Sequence, residues 1–166
     1  LITGQRTGET RRMLFSEIED GFWTIPSERT KNKLTHIVPL SAMAVDVIRK
    51  MEKKSESDYV FPGRIKCSDG IAGYKCLEKN VAAHYFRKIL KHFDWKRTTV
   101  HDLRRTVRSS LSKLGVRKTV SERVLNHKEQ GISGGYDRYD YLDEKKAALQ
   151  KWSNYLDEIL TDKSSN

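Results

Sequence analysis

The feature that most constrains the fold is the recurrence of apolar residues at helical spacing. In the last such segment, from Asp143 to about Leu160, apolar residues recur every three or four positions, which predicts a long amphipathic helix capped by Asp143. The same periodicity predicts earlier helices over residues 42–53, 78–93, 100–114 and 117–126. Ser41 is the expected N-cap of the first of these, and Gly115 the expected C-cap of the third. A chain with these segments must be largely helical.

Two short segments, Phe22–Pro26 and His36–Leu40, are typical of β-strands because they are rich in aromatic and β-branched residues. Each contains a proline, which favours an edge position. The polar connector between them predicts an antiparallel pair with a basic turn. Residues 10–14 could form a short helix, and residues 63–76, which show no periodicity, are expected to form an irregular surface loop. The predicted fold class is therefore α+β, mainly α-helical with a small antiparallel sheet or hairpin.

The composition of the chain limits the classes of partner and ligand that it is expected to bind. Its 166 residues are enough for one domain, and its net charge of +10 favours a polyanionic partner, nucleic acid before an anionic membrane. Many basic proteins bind no polyanion, so the net charge alone favours a nucleic-acid partner only slightly. No apolar run approaches the roughly 20 residues that span a bilayer. Cys67 and Cys76 have no His or Cys neighbours at zinc spacing, so we expect neither a metal nor a cofactor. Two cysteines without a secretory signal favour a reducing cytosol.

The stretch from His101 to Tyr136 carries most of the side chains that suit chemistry. It holds His101 and Arg104 on one face of a helical turn, then His127, and then Tyr136 after a polar, glycine-rich segment over residues 128–135. Arg108 falls on another face, where solvent or backbone contacts are expected. Each residue alone has an equally good structural explanation.

A phosphodiester would use these residues as a set. Two arginines from different segments, Arg6 and Arg104, could clamp the phosphate, because guanidinium is permanently charged and forked. Tyr136 could attack the phosphorus once it loses its proton, with His101 or His127 as the base. A lysine of the predicted turn, either Lys31 or Lys33, could protonate the leaving oxygen. Arg6 could equally be a surface arginine that binds a carbonyl, and the lysines could belong to a solvated turn.

These motifs, in this order, resemble the catalytic domain of the tyrosine recombinases, the phage integrase family, and most of all its prophage type. Residues 3–9, Thr-Gly-Gln-Arg-Thr-Gly-Glu, resemble the box of the first catalytic arginine, and Glu9 matches a supporting acidic position. His-Asp-Leu-Arg-Arg-Thr at 101–106 resembles the His-x-x-Arg box, and Leu-Asn-His at 125–127 is similar to the box of the second histidine. The resemblance covers residues 1 to about 160. It implies that the catalytic residues are Arg6, Lys31, His101, Arg104, His127 and Tyr136.

The resemblance also implies a mechanism. Tyr136 would form a 3′-phosphotyrosyl intermediate and free a 5′-hydroxyl, without metal or ATP, and a partner strand would then reseal the backbone. The partners would be double-stranded DNA attachment sites and three further subunits of a tetramer; the isolated chain would be a monomer in the bacterial cytoplasm, associated with the nucleoid.

Residues 1–166 would be a catalytic-domain fragment that lacks the core-binding and arm-binding domains and the first catalytic-domain helix, with residues 161–166 as a disordered tail. A catalytically silent DNA-binding domain and a relaxase resembling type IB topoisomerases remain the alternatives.

Overall fold

A computed structural model describes residues 1–66, 72–95, 98–127 and 140–162 of the chain. The helices are α1 (Thr7–Thr10), α2 (Ala42–Glu52), α3 (Val81–His92), α4 (Val100–Lys113), α5 (Lys118–Val124) and α6 (Leu142–Asp162). The strands are β1 (Ile18–Glu19), β2 (Phe22–Ile25), β3 (His36–Pro39), β4 (Pro62–Lys66) and β5 (Ala72–Cys76). This mainly helical architecture with small antiparallel sheets confirms the predicted fold class.

The first sheet has the antiparallel order β1-β2-β3, and Trp23 on β2 pairs with Val38 on β3. The predicted edge position is confirmed for the strand that contains Pro39 and is wrong for the strand that precedes Pro26, because β2 lies at the centre of the sheet. Pro39 lies in the edge strand β3, whereas Pro26 follows the central strand β2 and begins a short 3₁₀ turn over Ser27–Arg29. Strand β1, which the sequence did not predict, is only two residues long.

The hydrophobic core lies between this sheet and helices α2, α4, α5 and α6. Its largest fully buried side chains include Trp23, Leu111 and Trp152, which come from the sheet, α4 and α6 respectively. Helix α6 is also tied to β3 by the buried Lys145, whose Nζ donates to the carbonyl of Ile37 over 2.9 Å. The core therefore holds α4 and α5 in fixed positions beside the N-terminal sheet.

Most predicted helices are confirmed, with shorter ends. The Ser41 cap is confirmed, since its Oγ accepts from the backbone N–H of Ala44 at 3.4 Å. Gly115 follows α4 with a φ of +73°, the left-handed conformation expected of a C-terminal glycine. The prediction that Asp143 caps α6 is wrong, because the helix begins at Leu142. Thr161 and Asp162, assigned to the tail, are helical, and residues 163–166 lie outside the described residues.

Two other predictions are wrong. The helix expected over residues 10–14 ends at Thr10, because the chain turns there to bury Met13 and to pair Leu14 with Tyr59. The loop expected over residues 63–76 contains the antiparallel pair β4 and β5, and its residues 67–71 lie outside the described part. Backbone hydrogen bonding thus forms this hairpin without an alternating apolar pattern.

The apolar residues of α3 do not form a buried face. Leu90 is buried, whereas Tyr85 and Ile89 are 62% and 48% exposed. Among the described elements, α3 packs mainly on α4, which covers only one side of it.

Candidate active site

The candidate site is built around the C-terminal end of α5. The last carbonyls of a helix have no acceptor role within the helix, so they need other donors. Here the carbonyls of three consecutive residues receive side chains from distant segments: Val124 binds Gln5 Nε2 at 2.8 Å, Leu125 binds Arg104, and Asn126 binds Arg6 at 3.4 Å. The two arginines proposed from the sequence are therefore held side by side.

Arg6 lies at the junction where a turn enters α1, as the N-cap residue of that helix. Its backbone N–H donates to Glu9 Oε2 at 3.0 Å, and its guanidinium donates to Glu9 Oε1 at 3.1 Å. Glu9 is only 2% exposed, so the second contact is a partly buried ion pair. Glu9 thus fixes both the backbone and the guanidinium of Arg6. The guanidinium also donates to the Asn126 carbonyl, so Arg6 binds a carbonyl, which is the structural alternative that the sequence left open.

Arg104 lies deeper than Arg6 and is 6% exposed. Its guanidinium donates to the carbonyl of Gly4 at 2.7 Å and to that of Leu125. Burial, followed by the nearby charge of Arg6, lowers the pKa of Arg104 to about 10, which leaves the side chain protonated at neutral pH. Because both acceptors are neutral carbonyls, its positive charge remains available to an anion.

The glycine that binds Arg104 could not easily be replaced. Gly4 has a φ of +67°, and a Cβ there would lie 3.0 Å from Leu125 Cδ2 and 3.1 Å from Val107 Cγ1. The backbone of residue 4 therefore approaches α4 and the end of α5 as closely as a residue without a side chain allows.

His127 comes directly after the three residues whose carbonyls bind these side chains. Its Nδ1 pairs with the carboxylate of Glu122. The other carboxylate oxygen accepts from Arg108 Nε at 2.8 Å. Burial opposes the ionised form of Glu122, but hydrogen bonds from His127 and Arg108 outweigh it and hold the pKa of Glu122 below its usual value. The expectation that Arg108 contacts solvent or backbone is wrong, because its principal partner is this carboxylate.

Lys31 belongs to the connector between β2 and β3, and its side chain is exposed. The connector is tied down on either side of it. Thr30 Oγ1 donates to the carbonyl of Leu34 at 2.8 Å, and Asn32 Nδ2 donates to Asn126 Oδ1 at 2.6 Å. Lys31 and Arg6 line one shallow cavity. The structure therefore brings the loop of Lys31 to the residue whose carbonyl holds Arg6.

The remaining two residues predicted from the sequence are His101 and Tyr136. His101 is exposed in the first turn of α4, three residues before Arg104. Tyr136 and the glycine-rich segment before it lie outside the described residues. Arg6, Arg104 and His127 thus gather at the end of α5, Lys31 stands beside them, and His101 lies on the helix of Arg104.

Sequence reasoning missed a buried histidine behind the site. His36, the first residue of β3, is 6% exposed, and its Nε2 lies 3.3 Å from the Val124 carbonyl. Burial, helped by the charge of Lys145, lowers its pKa to about 3 in spite of the Val124 carbonyl, so the ring is neutral. The ring must then carry its proton on Nε2 to bond the carbonyl. In the sequence, the signal for the burial of His36 was its place within a predicted strand.

Three more supporting residues were also missed, namely Gln5, Asn32 and Glu122. Their partners are 119, 94 and 5 residues away in the chain. For Glu122, the spacing of five residues to His127 gave a weak local signal.

Two general properties bear on possible ligands. Among residues 1–66, 72–95, 98–127 and 140–162, no three His, Cys, Asp or Glu side chains are grouped so that they could hold a metal ion. No helix in the same ranges is long and apolar enough to cross a membrane.

Comparison with known proteins relates this geometry to a family. The sequence model of the phage integrase family matches residues 1–142. The prophage integrase IntZ of Escherichia coli K12 is 30% identical over 165 residues, which cover 96% of this chain and 38% of that protein. The integrase of Enterobacteria phage P4 is 27% identical and is matched over 38% of its length. The chain thus spans about two fifths of the length of these relatives.

Solved structures share the fold. The integrase from mycobacterium phage Brujita superimposes with a TM-score of 0.67 at 14% identity, over 90% of this chain and 47% of that one. The recombinase XerH, solved with its difH substrate in a pre-cleavage complex, superimposes with a TM-score of 0.56 at 19% identity, over 89% of this chain and 43% of that one. The chain therefore belongs to the phage integrase family and has the catalytic-domain fold of the tyrosine recombinases.

Proposed function

We propose that this chain is the catalytic domain of a site-specific DNA recombinase that cuts and rejoins double-stranded DNA at attachment sites. The observation that carries the proposal is the pair of guanidiniums, Arg6 and Arg104, held on the carbonyls of Asn126 and Leu125. Among the described residues, only Arg6 of these two adjacent cations is paired with a carboxylate. Two permanent positive charges side by side suit a phosphate with two non-bridging oxygens. His127 and the loop of Lys31 stand next to them.

In this proposal, the arginines neutralise the charge that grows on the non-bridging oxygens in the transition state. In other enzymes a preorganised donor of this kind contributes about 3–4 kcal/mol. They supply positive charge at the place where a metal ion supplies it in other phosphoryl transferases, so the reaction needs no metal. Glu9 keeps Arg6 in place and neutralises part of its charge. The charge of Arg104, which contacts neutral carbonyls, is neutralised less.

Tyr136 is the proposed nucleophile. Its oxygen forms a bond to phosphorus as the bond from phosphorus to the 5′ oxygen breaks, which gives a 3′-phosphotyrosyl ester. His101 and His127 are the candidate groups that accept the phenolic proton, because neutral imidazole is basic near neutral pH. Lys31 donates a proton to the leaving 5′ oxygen. A 5′-hydroxyl of a partner strand then attacks the ester and frees Tyr136, so ester bonds are exchanged and none is lost.

The proposal extends to the setting of the reaction. Recombination between two sites requires four such domains on DNA, so we expect a homotetramer there and a monomer for this chain alone. The lengths of the relatives leave room for further DNA-binding domains in the whole protein. We place the protein in the bacterial cytoplasm, on the nucleoid, where attachment sites are found.

The decisive experiment uses the full-length protein and a nicked suicide substrate made from its flanking chromosomal DNA. Cleavage beside the nick releases a short fragment, so the covalent protein–DNA adduct accumulates. We expect an adduct with the unaltered protein and none with Tyr136→Phe, while Tyr141→Phe serves as the matched control and retains it. An adduct with Tyr136→Phe would refute the nucleophile and direct attention to Tyr139 or Tyr141.

Two further outcomes would refute the proposed recombination. Specific DNA binding without any adduct would indicate a catalytically silent DNA-binding domain. An adduct together with relaxation of supercoiled DNA, but without recombinant product from paired sites, would indicate a relaxase.

A further inference from the structure

We propose that Arg12 holds a second phosphate of the cleaved strand, in the cavity that it shares with Arg6 and Lys31 beside the candidate active site. This inference deepens the proposed function and rests on it for the identity of the polyanion. Arg12 lies outside the sequence motifs that indicate the catalytic residues, six positions after Arg6.

The cavity beside Arg6 is strongly cationic. Among the described residues, its lining contains five cationic side chains and one carboxylate, which are those of Arg6, Arg11, Arg12, Arg29, Lys31 and Glu9. The carboxylate of Glu9 is already paired with Arg6. Like charges gathered in one place repel one another, so an anion bound among them stabilises the arrangement. The cavity therefore suits a phosphate group better than a neutral ligand.

Two of the five cations serve the fold. Arg29 pairs with Glu17 and also donates to the carbonyl of Arg12. Arg11 donates to the Leu77 carbonyl at 2.9 Å, so it ties the end of α1 to the chain that follows β5. Each of these guanidiniums already has acceptors within the protein. Their contribution to anion binding is therefore limited to their charge.

Arg12 differs from them because its backbone is fixed while its side chain is not. Its backbone N–H donates to the Glu9 carbonyl at 3.1 Å, and its carbonyl accepts from Arg29. The next residue, Met13, is 3% exposed and lies in the core. Arg12 itself is exposed, and within the described ranges of the chain its guanidinium has no hydrogen-bond or ion-pair partner. A forked cation on a fixed backbone is thus available to a phosphate.

The spacing of the two arginines suits neighbouring phosphates of one strand. At about 1.5 Å per residue, the chain advances by about 9 Å from Arg6 to Arg12, through α1 and the turn that ends it. Successive phosphates of a DNA strand are about 3.4 Å apart along the helix axis. A strand whose scissile phosphate lies on Arg6 therefore brings phosphates one to three steps away within reach of Arg12. Such a contact holds the strand in register without reading its sequence.

The test measures binding of the flanking chromosomal DNA by the full-length protein with Tyr136→Phe, the parent protein, so that cleavage does not interfere. Adding Arg12→Gln should weaken binding about 10-fold and reduce the slope of log affinity against log salt by about one. Arg12→Lys keeps a cation at this place and should retain most of the affinity and the slope. Arg49→Gln removes an exposed arginine of α2, away from this cavity, and should change neither measurement.

Uncharged methylphosphonates then identify the phosphate. Each of the three phosphates on either side of the scissile phosphate is replaced in turn, and Arg12→Gln is compared with the parent on every duplex. At the phosphate that Arg12 holds, the methylphosphonate and Arg12→Gln should each weaken binding, but together no more than either alone, because both remove the same contact. At the other positions the two changes should be additive.

The outcomes separate this inference from the proposed function. An unchanged affinity or salt slope in Arg12→Gln would overturn the inference. Additive effects at all the replaced phosphates would also overturn it, because Arg12 would then act only through the general charge of the surface. Urea unfolding of Arg12→Gln should match that of the parent, so that a damaged fold does not explain weaker binding. If the protein with Tyr136 intact binds this DNA but forms no adduct, the proposed function fails, whereas the methylphosphonate series still decides whether Arg12 holds a phosphate.

Discussion

His36 should make the stability of this protein depend on pH well above the range in which carboxylates titrate. The unfolded chain binds a proton at this histidine below pH 6.5, but the native protein excludes that proton until about pH 3, because the ring is buried beside Lys145. The contribution of His36 to stability is therefore complete above pH 6.5 and is lost progressively as the pH falls from 6.5 towards 3. The ring is 6% exposed, so solvent screens this effect little.

The magnitude follows from the two pKa values. With 6.5 in the unfolded state and about 3 in the native state, linkage gives a loss of about 2 kcal/mol in the free energy of unfolding between pH 7 and pH 5. Because pH 5 lies well above the native value, almost all of this loss comes from protonation of the unfolded chain.

The assay is urea unfolding at pH 7 and pH 5, with the free energy of unfolding extrapolated to water. His36→Gln retains an N–H donor for the Val124 carbonyl and cannot titrate, so it should lose about 2 kcal/mol less than the unaltered protein between these pH values. His84→Gln removes an exposed histidine of α3 and should retain the full loss. An equal pH dependence in the unaltered protein and His36→Gln would refute the reasoning, since it would mean that the buried ring accepts a proton in the native state.

Two other predictions concern the backbone and the surface. Gly4→Ala forces a side chain into a left-handed position against Leu125 and Val107 and should cost about 1–3 kcal/mol in urea unfolding, whereas Gly8→Ala meets nothing within 4 Å and should cost less than about 0.5 kcal/mol; equal costs would contradict the close approach at Gly4. DNA affinity of the full-length protein should fall steeply between 50 and 200 mM salt, by about 10³-fold or more if six phosphates are contacted, and a flat response in a binding titration would contradict the role given to the basic surface.

Local signals explain how much of the fold could be predicted. Helices α2 and α4 were predicted almost to the residue, because Ser41 and Gly115 mark their ends and both bury an apolar stripe. The β4–β5 hairpin was missed because it depends on backbone pairing between segments with no alternating pattern. The exposure of Tyr85 and Ile89 could not be predicted, because periodicity reports an apolar face of a helix but not whether another element covers it.

The candidate site shows the same division. The residue types and their order indicated Arg6 and Arg104, because few other chemistries need that set. The acceptors that hold them, the carbonyls of Asn126 and Leu125, could not be predicted, since every residue has a carbonyl and only the fold decides which ones lack helical partners. The sequence motif indicated no separate role for Asn126, although the left-handed backbone of this residue shapes the site.

The end of α5 explains why these features belong together. If the helix continued beyond Leu125, its backbone N–H groups would occupy the carbonyls that now bind Gln5, His36 and Arg104. The left-handed conformation of Asn126 stops the helix, and the same turn places His127 over Glu122. One backbone conformation thus frees the acceptors for both arginines and sets the partner of the histidine. The positions of Arg6 and Arg104 and the contact of His127 with Glu122 are therefore coupled through a single helix end.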